Sequence, residues 1–106
     1  MAKWIRFKSC YLRQIKAGEK TVTIRPWKET LRKAKIGDAL ILAVGAYDRP
    51  ELIRAEIKKI EKLPVKKNAL SDNLVSADCC PASEIIAYLK SKKALHFAAI
   101  WFSLAH

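Results

Sequence analysis

A lysine, a threonine and an arginine can between them make an activated hydroxyl nucleophile, and the run from Gly18 to Arg25 holds all three types, as Lys20, Thr21, Thr23 and Arg25. A threonine hydroxyl is a poor nucleophile until a base removes its proton, and a buried lysine amine beside another cation can act as that base. Alternation along a strand puts Thr21, Thr23 and Arg25 on one face and Lys20 on the other with Val22 and Ile24. Lys20 is therefore expected on the turn after Gly18, outside the regular pleat, if it is to meet Thr23. The residues alone leave a plainer reading open: the threonines are ordinary strand formers, and Arg25 could pair with Glu19 or Asp38.

The elements that must position this run can be read on either side of it. "KWIRF" alternates as a first strand, with Trp4 as a core candidate. Ser9 offers a helix cap, Tyr11, Leu12 and Ile15 fall at helical spacing, and Gly18 supplies a left-handed stop. "KTVTIR" reads as a β-branched second strand closed by Pro26, which has no N–H to donate. After a basic connection, Gly37-Asp38 turns the chain into the apolar strand "ALILAVGA". "LIRAEIKKIEKL" alternates and then slips phase at Lys58-Lys59, the mark of a β-bulge or bend, although a helix is also compatible with it. Ala69, Leu70 and Leu74 suggest a turn or two of helix. "PASEIIAYLK" is a stronger helix, with Ser83 as a cap candidate, and "ALHFAAIWFSLA" closes the order as a long, apolar interior strand.

One domain spanning residues 1–106 is expected from the length, and a strand-dominated α+β fold from the element order. A small barrel with two or three short flanking helices fits best, with a flat α+β sandwich as the alternative. No apolar run approaches the length of a membrane span, and Lys3, Arg6 and Lys8 interrupt any signal-like segment at the N-terminus, so a cytoplasmic location is expected. Cys10, Cys79 and Cys80 form neither a disulfide framework nor a C-x-x-C pair, so neither metal nor cofactor is expected. His96, at the start of an apolar strand, reads as structural rather than catalytic.

Charge is the strongest compositional signal, with 21 Lys plus Arg against 10 Asp plus Glu. Residues 1–35 hold eleven basic side chains against Glu19 and Glu29, which accounts for nine of the net +11 charges. Such a one-sided field attracts polyanions, nucleic acid foremost, although a lysine-rich surface also serves solubility. Trp27, at the end of the second strand, could stack on a base or simply cap the barrel.

These features together carry a resemblance. The short helix ending in "IKAGEKTVTIR", the Gly-Asp turn before an apolar strand and the C-terminal "HFAAIWFSL" resemble the ASCH family of PUA-like small β-barrels over nearly the whole chain. The most specific part is G-x-K-T-x-T-x-R at Gly18, Lys20, Thr21, Thr23 and Arg25. The resemblance implies a pseudo-barrel with an RNA- or nucleotide-binding cleft beside this motif. Within the family, the chain resembles the small amidohydrolases of N4-acetylcytidine, which use a lysine and a threonine of this run and a glutamate shortly before a later helix. Carried over, these are Lys20, Thr23 and Asp78, an aspartate one methylene shorter that could orient the lysine or shuttle a proton to the leaving amine.

Three functions are thus expected, and they differ in class. The first is RNA or nucleotide binding through Lys20, Thr21, Thr23, Arg25 and Trp27, with phosphate contacts from Lys28, Arg32, Lys33 and Lys35. The second is deacylation of an N4-acylated pyrimidine nucleoside by Lys20, Thr23 and Asp78. The third is a non-catalytic protein interaction domain. None of them calls for a membrane or a metal.

Overall fold

The computed structural model describes residues 3–27 and 34–105. Among these, five strands and three α-helices run in the order β1 (Lys3–Phe7), α1 (Leu12–Lys16), β2 (Val22–Pro26), β3 (Ala39–Val44), β4 (Glu51–Pro64), α2 (Asp72–Asp78), α3 (Ala82–Ser91) and β5 (His96–Leu104). Single 3-10 turns precede α1 at Ser9–Tyr11 and α2 at Lys67–Ala69. The strands form one sheet in the order β1-β3-β4-β5-β2, parallel between β1 and β3 and antiparallel elsewhere. The result is a strand-dominated α+β fold, a sheet curled into a half-barrel, and not a flat sandwich.

Curling is built into β4. Its first half pairs with β3 and its second with β5, and the register shifts between Ile57 and Lys59, which face Phe102 and Trp101. The extra residue, Lys58, bends the strand and increases its twist at the position where the sequence slips phase. The helical alternative for this segment fails because its apolar residues recur at spacing two up to the bulge, which lines one face of a strand.

The curled sheet is buried on both sides along β5. Ala98, Ile100 and Phe102 point inward to a core with Phe7, Ile15, Leu40, Leu42, Val44, Ala55 and Ile57. Phe97 and Ala99 point outward, where Leu70 of the segment before α2, Leu74 of α2 and Ile85 and Leu89 of α3 cover them, together with Val22 and Ile24 of β2. Burial on both faces explains the unbroken apolar run of this strand and its interior place between β4 and β2. Fully burying Phe97 contributes about 2–3 kcal/mol.

Three local expectations are corrected. Trp4 is 59% exposed, not core, because it lies on the outer face of edge strand β1, away from α2 and α3, which pack over β2 and β5. Ser9 and Ser83 make no capping hydrogen bond, since the 3-10 turn begins at Ser9 itself and α3 follows Pro81 as its cap position. Capping falls instead to Ser71, whose hydroxyl accepts from Leu74 N–H at 3.1 Å at the start of α2. Among the described residues, no helix is long and apolar enough to cross a membrane.

Candidate functional site

Gly18 sets the position of the site. The helix α1 ends in a Schellman motif: Gly18, at φ +77°, returns its N–H to Ile15 C=O, and Glu19 N–H reaches Gln14 C=O at 2.9 Å. The chain then leaves the helix as Glu19-Lys20-Thr21, outside the pleat of β2, and docks on the C-terminal end of α2. Thr21 N–H donates to Ala77 C=O at 3.0 Å, and Lys20 Nζ donates to Asp78 C=O at 2.6 Å. Carbonyls at a helix C-terminus lack partners within the helix and carry partial negative charge, so a lysine is suited to cap them. Cys79 adopts the left-handed conformation just beyond, at φ 59°, and ends α2.

The same lysine reaches the Asp78 side chain, with Nζ 2.7 Å from Oδ1, in a pair that is almost wholly buried. The rings of Tyr11 and Phe7 lie 4.6 and 5.7 Å from Nζ, so aromatic faces and carboxylate together surround the amine. From β2, Thr23 projects inward beside Ile100 in the register, buried, and its hydroxyl oxygen accepts from Arg25 Nε at 3.1 Å. The Arg25 guanidinium also donates to the Arg6 carbonyl of β1. That bond links the two edge strands of the sheet, so the site occupies the open seam of the half-barrel.

A cavity of about 270 Å³ opens at this seam. Lys20, Thr23, Arg25 and Asp78 line it, with Arg6, Phe7, Lys8 and Tyr11 from β1 and the turn after it. The opposite wall comes from Cys80 and from Glu84, Ile85 and Tyr88 on α3. Its size is at the small end of the roughly 300–1,000 Å³ typical of ligand pockets, enough for a nucleoside rather than a folded polymer.

Burial dominates the electrostatics. It raises the Asp78 carboxyl above its ordinary value, while Lys20 and then Arg25 pull it back down. The Tyr11 phenol is pushed up to about 12, chiefly by burial and then by Cys80 and Asp78, so it remains a donor at neutral pH. The Cys79 and Cys80 thiols are also raised, mainly by burial, which leaves them protonated and weakly reactive. Cys80 Sγ lies 3.5 Å from Glu84 Oε2.

The other site candidates fall in different places. Thr21 lies outside the cavity, half-buried, with its backbone tied to Ala77 and Phe102. Trp27 packs against the inner core as a cap, with Lys62 Nζ 5.1 Å from its ring. Lys35 is exposed in the turn, its N–H bonded to Asp38. Lys28, Arg32 and Lys33 lie outside the described residues. Arg25 pairs with neither Glu19 nor Asp38, and exposed His96 does not line the cavity. The second wall went unread in the sequence, yet Glu84 and Tyr88, four apart on α3, share a helix face and carried a usable signal. Among the described residues, no group of three or more His, Cys, Asp or Glu could hold a metal ion.

The curled five-stranded half-barrel sheet with short helices over part of its outer face is an ASCH-domain fold, as comparison with solved structures shows. The chain is similar to the hypothetical protein PH0355, with a TM-score of 0.74 and 21% identity over 99% of this chain and 100% of that one. It is similar also to EF3133 of Enterococcus faecalis V583, a DUF984 protein, with a TM-score of 0.72 and 15% identity over 99% and 76% of the two chains. A mutant of ZmASCH from Zymomonas mobilis matches with a TM-score of 0.73 and 15% identity over 93% and 66%. At these identities the likeness is one of fold. No protein-family profile matches the sequence, and no curated protein matches it.

Proposed function

We propose that this protein is an amidohydrolase that removes the acyl group from N4 of an acylated cytosine nucleoside, with Thr23 as nucleophile. One observation carries the reading. The buried polar or charged side chains among the described residues are Lys20, Thr23 and Asp78, and all three line one nucleoside-sized cavity. Burying such groups is unfavourable unless they are paired, so their convergence on a cavity favours chemistry over packing.

The proposed steps balance without a co-reactant other than water. Thr23 Oγ attacks the acyl carbonyl carbon, its proton passes to the Lys20–Asp78 pair, and Arg25 Nε–H, 3.1 Å from Oγ, steadies the developing negative charge. Burial raises the Asp78 carboxyl above its ordinary value, which suits it to hold a proton and return it during the reaction. Collapse breaks the C–N4 bond, and the pair returns the proton to the leaving amine. Water then cleaves the Thr23 ester, releasing the carboxylic acid and restoring the hydroxyl.

Purified protein incubated with N4-acetylcytidine should release cytidine, measured by liquid chromatography. Lys20→Ala and Thr23→Ala should each reduce the rate by about 10²- to 10⁴-fold. Release that survives both substitutions would remove the mechanism.

A second reading, RNA or nucleotide binding in the same cleft without turnover, is favoured by Arg6, Lys8 and Arg25 at its lining. It expects binding whose log-log salt slope is near 0.7 per phosphate contacted, with no product formed.

A further inference from the structure

An edge strand keeps half of its backbone polar groups out of the sheet, and β2 is such a strand. Its ladder to β5 is bonded at the odd positions. Phe102 N–H donates to Thr21 C=O at 2.9 Å and Trp27 N–H to His96 C=O at 3.0 Å, in the register that pairs Thr23 with Ile100 and Arg25 with Ala98. Alternation in an antiparallel ladder therefore turns the N–H groups of Thr23 and Arg25 toward β5 and those of Val22 and Ile24 toward the open edge. Pro26 has no N–H, and Val22 does not line the cavity, so Ile24 holds the backbone donor that β2 presents there. The Ile24 side chain packs in the outer core with Ile85 and Leu89 of α3, so what it turns to the seam beside Thr23 is main chain.

We infer that the Ile24 N–H is an oxyanion donor, which binds the carbonyl oxygen of the substrate as that oxygen becomes negative during attack by Thr23. The inference rests on the reading of Thr23 as nucleophile. When Oγ bonds to the acyl carbon, the carbonyl π pair moves onto oxygen. It returns as the C–N4 bond breaks, with the bonding pair left on the amine, which takes its proton from the Lys20–Asp78 pair. A charge that exists only between these events is best met by donors already fixed in place. Arg25 meets part of the need, but its guanidinium is engaged on both sides, donating from Nε to Thr23 Oγ at 3.1 Å and from Nη2 to the Arg6 carbonyl across the seam. The N–H of the residue after a hydroxyl nucleophile is a recurrent donor in hydrolases, because the chain itself sets it beside the attacking oxygen. Pairing of Thr23 and Arg25 with β5 on the opposite side holds this peptide group still, so the donor needs no reorganisation.

Two measurements test it. Native-state hydrogen exchange should find the Ile24 amide exchanging faster than those of Thr23 and Arg25; equal protection would place this N–H in a bond within the protein and overturn the inference. Turnover of N4-acetylcytidine then isolates the donor. Ile24→Ala shortens the side chain and keeps the N–H, whereas Ile24→Pro removes the N–H where no bond to β5 is lost. Relative to Ile24→Ala, Ile24→Pro should lower kcat about 10²- to 10³-fold with KM little changed. If the proline variant does not fold, replacing Ile24 by its α-hydroxy acid exchanges only the N–H for an ester oxygen and should have the same effect relative to wild type. The sulfur analogue N4-thioacetylcytidine accepts hydrogen bonds weakly, so the preference of the wild type for oxygen over sulfur should shrink in either variant. Equal kcat in folded variants with and without the N–H, or an unchanged oxygen-to-sulfur preference, overturns the inference and leaves Thr23 as nucleophile. No turnover by the wild type removes the nucleophile reading, and the oxyanion donor with it.

Discussion

Burying Lys20 against Asp78 withdraws two charges from water, and the attraction between them offsets that cost only while both are present. Asp78→Ala should therefore destabilise the fold by about 3–5 kcal/mol in urea melts, whereas Lys20→Met combined with Asp78→Leu should come within a few kcal/mol of wild type or exceed it. A stable but inactive double variant would show that the pair is kept for chemistry. Titration gives an independent check. Burial raises the Asp78 carboxyl and Lys20 lowers it, so Lys20→Met should raise it further, as read from the side-chain carboxyl ¹³C shift. The sign for stability follows: a folded value above the unfolded one makes this group's contribution full below the ordinary carboxylate range and lost as pH rises through the raised value. Of the candidate site, Thr23 and Arg25 were legible from their alternation along a strand, and Lys20 from its place just after a glycine stop. Asp78 was not legible from the residues themselves, because it meets Lys20 only through the docking of α2, and no local pattern encodes a contact between residues 58 positions apart.

At the scale of elements, the Schellman turn at Gly18 connects local backbone to site geometry. Nothing lies within 4 Å of where a Cβ would sit, so Gly18→Ala meets no clash and suffers only from its left-handed backbone, about 1–2 kcal/mol. The same change should shift Lys20 relative to Thr23, so turnover of N4-acetylcytidine is expected to fall more than the stability loss explains. Ser71→Ala removes a cap at the end of α2 opposite Asp78 and should cost about 1 kcal/mol, with little change in any turnover of N4-acetylcytidine. Strands were the most legible elements: β1 ends where "KWIRF" ends, and the bulge at Lys58 follows the broken alternation. Helix starts were less legible, since Ser9, Ser71 and Ser83 look alike in sequence. Only Ser71 has the extended backbone at the cap position and a helix beyond it in reach of its hydroxyl.

The whole molecule carries +11 charges, so repulsion within the fold should be relieved by salt. Its Tm is expected to rise between about 0.01 and 0.15 M ionic strength, as the Debye length falls from about 30 to 8 Å, while association with anionic ligands slows over the same range. The barrel-like architecture was legible from element order, but which faces stayed open was not: Trp4 looks like core in an alternating strand, and its exposure depends on where the helices settle. The seam carries one more implication, for the order of assembly. Strands β1 and β2 are neighbours in sequence yet opposite edges of the sheet, each held by a strand synthesised later, β3 for the first and β5 for the second. Thr23 thus has no fixed position until residues 96–104 have paired with β2, and Lys20 none until α2 has formed. A chain emerging from the ribosome would carry the whole G-x-K-T-x-T-x-R run long before it could use it. In refolding followed by pulsed hydrogen exchange, recovery of turnover should coincide with protection of the β2–β5 amides and lag that of β3–β4.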